Sequence, residues 1–103
     1  MTLINVNTIK QMKIEFDPAK DASNVQKHGV SLALAAELEW DTLLAAPDQR
    51  RNYGELRMQG YAVLGDRLYC VVFADRAAVR RIISLRKAND REKIRYANQF
   101  NAS

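Results

Sequence analysis

Between Glu55 and Leu64 the apolar residues Leu56, Met58, Ala62 and Leu64 alternate with Glu55, Arg57, Gln59 and Tyr61. This is the period-two pattern of a strand with one buried face. Gly65-Asp66 then predicts a tight hairpin turn. The following segment, Leu68 to Ala74, is apolar at odd and even positions alike, which predicts a central strand covered on both faces. After a short loop over residues 75–78, Val79 to Leu85 continues as its partner.

Upstream, Lys13 to Phe16 reads as a short strand, and Asp17-Pro18 as a helix cap followed by proline at the first helical position. Ala19, Ala22 and Val25 form a sparse apolar stripe, and Lys27-His28-Gly29 supplies cationic side chains in the last turn before a terminating glycine. The first helix is therefore expected over residues 18–28. Ser31 caps a second one from Leu32 to about Glu39, with Leu34, Ala35 and Leu38 on one face, ending at Trp40-Asp41. Leu43 to Ala46 fits a short strand, and residues 48–54 a polar loop. Asn89, with Glu92 three residues on, is a capping box that opens a helix from Asp90 to about Phe100. The predicted order is β-α-α-β-β-β-β-α, an α+β arrangement with two N-terminal helices packed on an antiparallel β-sheet meander and a C-terminal helix.

A chain of 103 residues, 48% of them hydrophobic, suits one compact core. Residues 1–11 lack periodicity and are read as a flexible N-terminal extension, leaving 12–103 as the single domain. No apolar run approaches a membrane span and no signal-peptide pattern opens the chain, so the cytoplasm is the expected location, with no membrane partner. Cys70 lies in an apolar run and is expected to be an inert core thiol. Charge changes the picture more. Residues 1–49 hold four Lys/Arg against seven Asp/Glu, whereas residues 50–103 hold twelve against five. The second half is strongly cationic and suits a polyanionic partner, nucleic acid first, or else a merely solvated basic face.

One histidine, one cysteine and scattered carboxylates give no familiar metal-ligand spacing, and no glycine-rich phosphate loop is present, so no metal or other cofactor is expected. No serine or cysteine sits in a nucleophile motif. Arginines remain. On strand periodicity Glu55 and Arg57 share a face, Arg80 and Arg86 share another with Ser84 between them, and Arg81 points the opposite way. Such guanidinium groups can clamp a phosphodiester and stabilise the added charge of its transition state. Glu55, His28 and Tyr96 are then the candidates for moving the proton of an attacking ribose 2′-hydroxyl, and Lys27, Arg80, Arg81 and Lys87 are further RNA contacts. Glu55 with Arg57 also reads as a plain surface ion pair, and Lys27 with His28 as a complement to the helix C-terminus.

The segments Phe16-Asp17-Pro18-Ala19-Lys20, Ser23 to Ser31 containing Lys27-His28-Gly29, Glu55-Leu56-Arg57, Arg81 to Ala88, and then Glu92 and Tyr96 resemble, in order and spacing, the BrnT family of toxins from bacterial type II toxin–antitoxin modules. The resemblance runs from about Met12 to Tyr96. It implies a RelE-like ribonuclease fold and a toxin that inhibits translation by cutting RNA, an endoribonuclease that works without metal through 2′-hydroxyl attack. It further implies a BrnA-like ribbon-helix-helix antitoxin in a 2:2 heterotetramer, with operator DNA reached only through that antitoxin. Arg57 and Arg86 become the expected phosphate-activating pair. The alternative function is a catalytically inactive module that binds antitoxin or operator. The chain departs from the family in a more apolar second helix, Leu32 to Ala36, and in the added charge of Arg50-Arg51.

Overall fold

The computed structural model describes residues 12–102; the N-terminal extension expected over 1–11 lies outside them. Five strands form one sheet: β1 (Lys13–Glu15), β2 (Glu39–Pro47), β3 (Met58–Leu64), β4 (Arg67–Arg76) and β5 (Val79–Lys87), in the spatial order β1-β5-β4-β3-β2. β2 to β5 form an antiparallel meander, but β1 pairs with β5 in parallel. The sheet is thus mixed, which corrects the all-antiparallel expectation. The parallel pairing follows from α1 (Pro18–His28), which with the 3-10 helix Leu32–Glu37 returns the chain across one face of the sheet.

Local chemistry sets the boundaries of α1. The Asp17 carboxylate accepts from Ala19 N–H at 2.8 Å, and Gly29 ends the helix at φ 74°, where its N–H donates to the Val25 carbonyl at 2.8 Å. Asp21 then accepts from both Ser31 Oγ and Leu32 N–H, fixing the turn into the next element. That element is a 3-10 helix and stops at Glu37, so the expected α-helix to Glu39 is corrected. Trp40 is needed in the core: its indole donates back to the Ala35 carbonyl at 2.9 Å and meets Phe73 edge-to-face at 5.8 Å. Residues 39–42 therefore belong to β2.

The core lies between α1, the 3-10 helix and one face of the sheet, and includes Leu32, Leu43, Val71, Phe73, Ile82 and Leu85. Asn24 of α1 completes it at the β5 edge. Its amide accepts from Leu85 N–H and donates to the Leu85 carbonyl, standing in for a neighbouring strand beyond the short β1. Gly60 lets β3 lie close to β2, since a Cβ there would sit 2.8 Å from Ala45 Cβ, Leu43 Cδ1 and the Leu44 carbonyl oxygen. Gly60→Ala is accordingly expected to lower stability by roughly 1–3 kcal/mol through overpacking, read as a lower urea midpoint with an unchanged slope.

α2 (Asp90–Ala102) lies against the other face, at one end only. It is anchored by polar groups: Glu92 is its one buried residue, and the Tyr96 hydroxyl donates to the Thr42 carbonyl. Among the described residues no helix is long and apolar enough to cross a membrane.

Candidate functional site

The face opposite the core is built by residue parity, and one irregularity decides its composition. Val72 pairs with Ser84 but Phe73 pairs with Ile82, so Ile83 is an extra residue in β5. A bulge of this kind reverses the alternation on one side of it. Arg80, Ile82 and Leu85 consequently face the core together, while Arg81, Ser84 and Arg86 share the open face. This corrects the expected grouping of Arg80 with Arg86 and the expected isolation of Arg81.

Arg80 also leaves the expected set of RNA contacts. It is 1% exposed, paired through Nε and Nη2 with both Asp75 oxygens at 2.8 Å, and its guanidinium sits 4.1 Å from the Phe73 ring centroid and 4.9 Å from that of Trp40. It plugs the end of the core as a neutralised cation.

Cross-strand register arranges the open face in rows. Gln59, Val72 and Ser84 form one; Tyr61, Cys70 and Arg86 form the next toward α2. In the other direction Ala74 pairs with Arg81, and Arg81 with Glu15 of β1. Arg57 is not in a strand, contrary to expectation: β3 begins at Met58, and Glu55 and Arg57 belong to the preceding loop. Its carbonyl nevertheless accepts from Asp48 N–H at 2.7 Å, continuing the β2–β3 pairing one step past Pro47 and Met58. Arg81 pairs with the small Ala74, and the loop carrying Arg57 enters β3 at Met58, whose partner Phe73 is the residue before Ala74.

The three arginines of this face differ in what already engages them. Arg81 is exposed and forms no ion pair among the described residues. Arg57 stacks on Tyr53 at 4.2 Å and, among the described residues, forms one ion pair, Nε to Glu55 Oε2 at 3.2 Å. Arg86 is held bidentately by Glu92 at 2.8 Å through both terminal nitrogens. Glu92 also accepts from the Tyr61 hydroxyl at 2.8 Å and from Asn89 N–H at 2.9 Å, closing the predicted capping box. The Arg86 guanidinium, with Asn89 and Tyr61 adding hydrogen bonds, holds the Glu92 carboxyl down at about 2. Burial, with the Glu92 hydrogen bond beside it, pushes the Tyr61 phenol well above its usual range. Burial likewise raises the pKa of the Cys70 thiol.

The loop that presents Arg57 has its own clamp. Asp48 binds Arg50 through both oxygens and accepts from the Tyr53 hydroxyl at 3.1 Å. Its carboxyl is lowered to about 2, chiefly by Arg50. Arg50 therefore orders the loop that carries the Tyr53 platform for Arg57. Between this loop and the β4–β5 turn lies a groove of about 400 Å³, lined in part by Glu15, Glu55, Leu56, Ala74 and Arg81.

The remaining expected residues are dispersed. Lys27 and His28 are exposed at the end of α1 and share a shallow hollow of about 230 Å³ with Lys20 and Ser84 at the β5 edge. Lys87 is exposed at the end of β5. Tyr96 is far from Arg57 and Arg81. It lines a different hollow with Val63, Arg67 and Lys93, and stacks on Phe100 at 5.5 Å. Burial raises its phenol. Sequence reasoning did not single out Tyr61, Gln59, Ala74 or Leu56 as site residues, although Gln59 and Tyr61 have the same parity as Arg57 in the alternation that predicted the strand. Among the described residues, no group of three His, Cys, Asp or Glu side chains comes together as a metal cage.

No curated protein matches the chain. A family model described as "Ribonuclease toxin, BrnT, of type II toxin-antitoxin system" matches residues 16–92. That span includes α1, the whole meander, the Arg57 loop and Glu92, and so all of the open-face cluster except Glu15. The chain belongs to the BrnT family: it is a ribonuclease toxin of a type II toxin–antitoxin system, with RNA as its substrate and a protein antitoxin as its partner.

Proposed function

We propose that the protein is an endoribonuclease with a RelE-like fold that inhibits translation in the cytoplasm without a metal cofactor. The scissile phosphate sits over Ala74 between Arg57 and Arg81, and the neighbouring ribose 2′-hydroxyl attacks it. The products are a 2′,3′-cyclic phosphate and a free 5′-hydroxyl. The observation that supports this most is Arg81, an exposed guanidinium in register with the small Ala74 that forms no ion pair among the described residues, on the same groove as the loop that presents Arg57. Two such forks can hold the non-bridging oxygens and offset the charge that grows as the phosphorus becomes pentacoordinate.

Glu55 accepts from Arg57 Nε at 3.2 Å and steadies that guanidinium, and the 2′-hydroxyl proton passes to solvent water on the open face. Arg86 and Ser84 hold the RNA one or two rows further on, and Lys27, His28 and Lys87 attract its flanking phosphates at the β5 edge and end. Tyr96, hydrogen-bonded to Thr42 on the α2 side, anchors that helix instead. The partner we infer is a ribbon-helix-helix antitoxin of the BrnA kind in a 2:2 assembly, which neutralises the toxin by covering the same cationic face.

Incubation of the purified protein with RNA in excess EDTA tests the chemistry. Cleavage should persist, with 5′-hydroxyl fragments that polynucleotide kinase labels directly and 3′ ends that stay blocked to an adapter until the cyclic phosphate is removed, and a 2′-deoxy substitution at the cut position should abolish it. Loss of cutting in EDTA that Mg²⁺ restores, or products with 5′-phosphates, would refute the mechanism.

A further inference from the structure

The groove beside Arg57 and Arg81 has a chemistry unlike the rest of the face. Its lining among the described residues includes the carboxylates Glu15 and Glu55, Asp75, whose oxygens are both taken by Arg80, and the arginines Arg76 and Arg81. Leu56 projects at its rim with 69% of its surface exposed, the most exposed large apolar side chain among the described residues. Glu55 uses one oxygen, Oε2, toward Arg57 Nε, while Oε1 accepts nothing among the described residues. An apolar wall, a carboxylate with a spare oxygen and a volume of about 400 Å³ describe a seat for a planar ring with donor groups on its edge.

Resting on the ribonuclease reading above, we propose that this groove is a nucleobase pocket that selects guanine next to the cut phosphate, with Glu55 as the specificity-determining residue and Leu56 as the stacking wall. Single-stranded RNA is read by splaying a base out, stacking it and bonding its Watson–Crick edge. Guanine alone among the four bases presents two adjacent donors, N1–H and the N2 amine, that match the two oxygens of one carboxylate. Adenine and cytosine offer one amine beside an acceptor that the carboxylate would repel, and uracil has no amine. The groove meets the phosphate seat at Ala74 and Arg81, so a base placed in it belongs to a nucleotide flanking the scissile bond.

The test measures binding rather than cleavage. Short uridine-rich RNAs carry a 2′-deoxy residue at the cut position and guanine, inosine or adenine at the adjacent one, and their affinities are compared by fluorescence anisotropy. Inosine lacks only the N2 amine and should bind about tenfold more weakly than guanine, one well-placed base contact. Glu55→Gln should bring the guanine-to-inosine ratio close to one, and Leu56→Ala should weaken all purine RNAs together. Equal wild-type affinity for the three RNAs overturns the proposal, as does a guanine preference that Glu55→Gln leaves intact. Leu56→Ala and Glu55→Gln proteins that bind every RNA normally but lose the antitoxin would make the groove a protein-docking site instead. A guanine preference in a protein that cuts no RNA would leave the pocket standing and remove the nuclease reading.

Discussion

Arg57→Ala and Arg81→Ala should each slow single-turnover RNA cleavage about a hundredfold, the usual effect of removing one donor to a developing oxyanion. Both proteins should remain folded. Arg81 makes no ion pair among the described residues, and the Arg57–Glu55 contact is a partly exposed pair of the kind that contributes roughly 0 to 1 kcal/mol. The Lys replacements separate charge from geometry. A lysine restores a point charge but not the two-pronged fork, so Arg81→Lys should recover RNA affinity while most of the rate stays lost. Arg86→Ala should behave differently, losing stability along with activity, because it strips Glu92 of its partner. Near wild-type rates for both Arg57→Ala and Arg81→Ala would remove the phosphate seat from the account.

Glu92→Ala should be the most damaging single change to the fold outside the apolar core. The residue is 6% exposed and receives Arg86, Tyr61 and Asn89 at once. Its loss strands the Arg86 charge, opens the helix cap and leaves the Tyr61 hydroxyl without an acceptor. Together these should lower stability by roughly 2–4 kcal/mol; a fully buried pair would lose more, but Arg86 can still reach water. α2 should detach first, since Glu92 is its one buried residue. Faster amide exchange in α2 than in β4 checks that order.

The same carboxylate predicts an acid response. Its pKa is held at about 2 in the fold against an ordinary value of 4.5, so the stabilisation it brings is complete above about 4.5 and is lost as the pH falls toward 2. Urea midpoints measured from pH 6 to pH 2.5 should fall steeply in the wild type and less steeply in Glu92→Gln. Equal slopes would show that the Arg86–Glu92 contact does not stabilise the folded state.

Much of this fold is written in local chemistry. Asp17-Pro18 and Gly29 bound α1 where the sequence puts them, Gly65-Asp66 makes the β3–β4 turn, and Asn89 with Glu92 opens α2. These features depend on contacts within a few residues. What depended on distant partners was not legible. The bulge at Ile83 arises from how β5 pairs with β4, and it alone moved Arg81 to the open face and set Arg80 apart from Arg86. The parallel pairing of β1 has no local signature. Trp40 draws residues 39–42 into β2, ahead of the expected strand at Leu43, because its ring is needed against Phe73. For the site, arginine and glutamate at 55, 57, 81 and 86 stood out by charge, but their roles separated only with geometry. Arg86 is engaged by a glutamate whose capping function was visible and whose ion pair was not, while Ala74 and Leu56 gain meaning only from what flanks them.

The central claim, that RNA lies on the open face between Arg57 and Arg81, is tested most directly by following arginine Nε–Hε resonances while a 2′-deoxy-blocked RNA is titrated into the labelled protein. The account predicts large, saturable shifts for Arg57 and Arg81 and none for Arg80, which lies sealed against Phe73 and Trp40 on the other side of the sheet. Arg57 and Arg81 signals that stay fixed while the RNA binds elsewhere on the protein would contradict it.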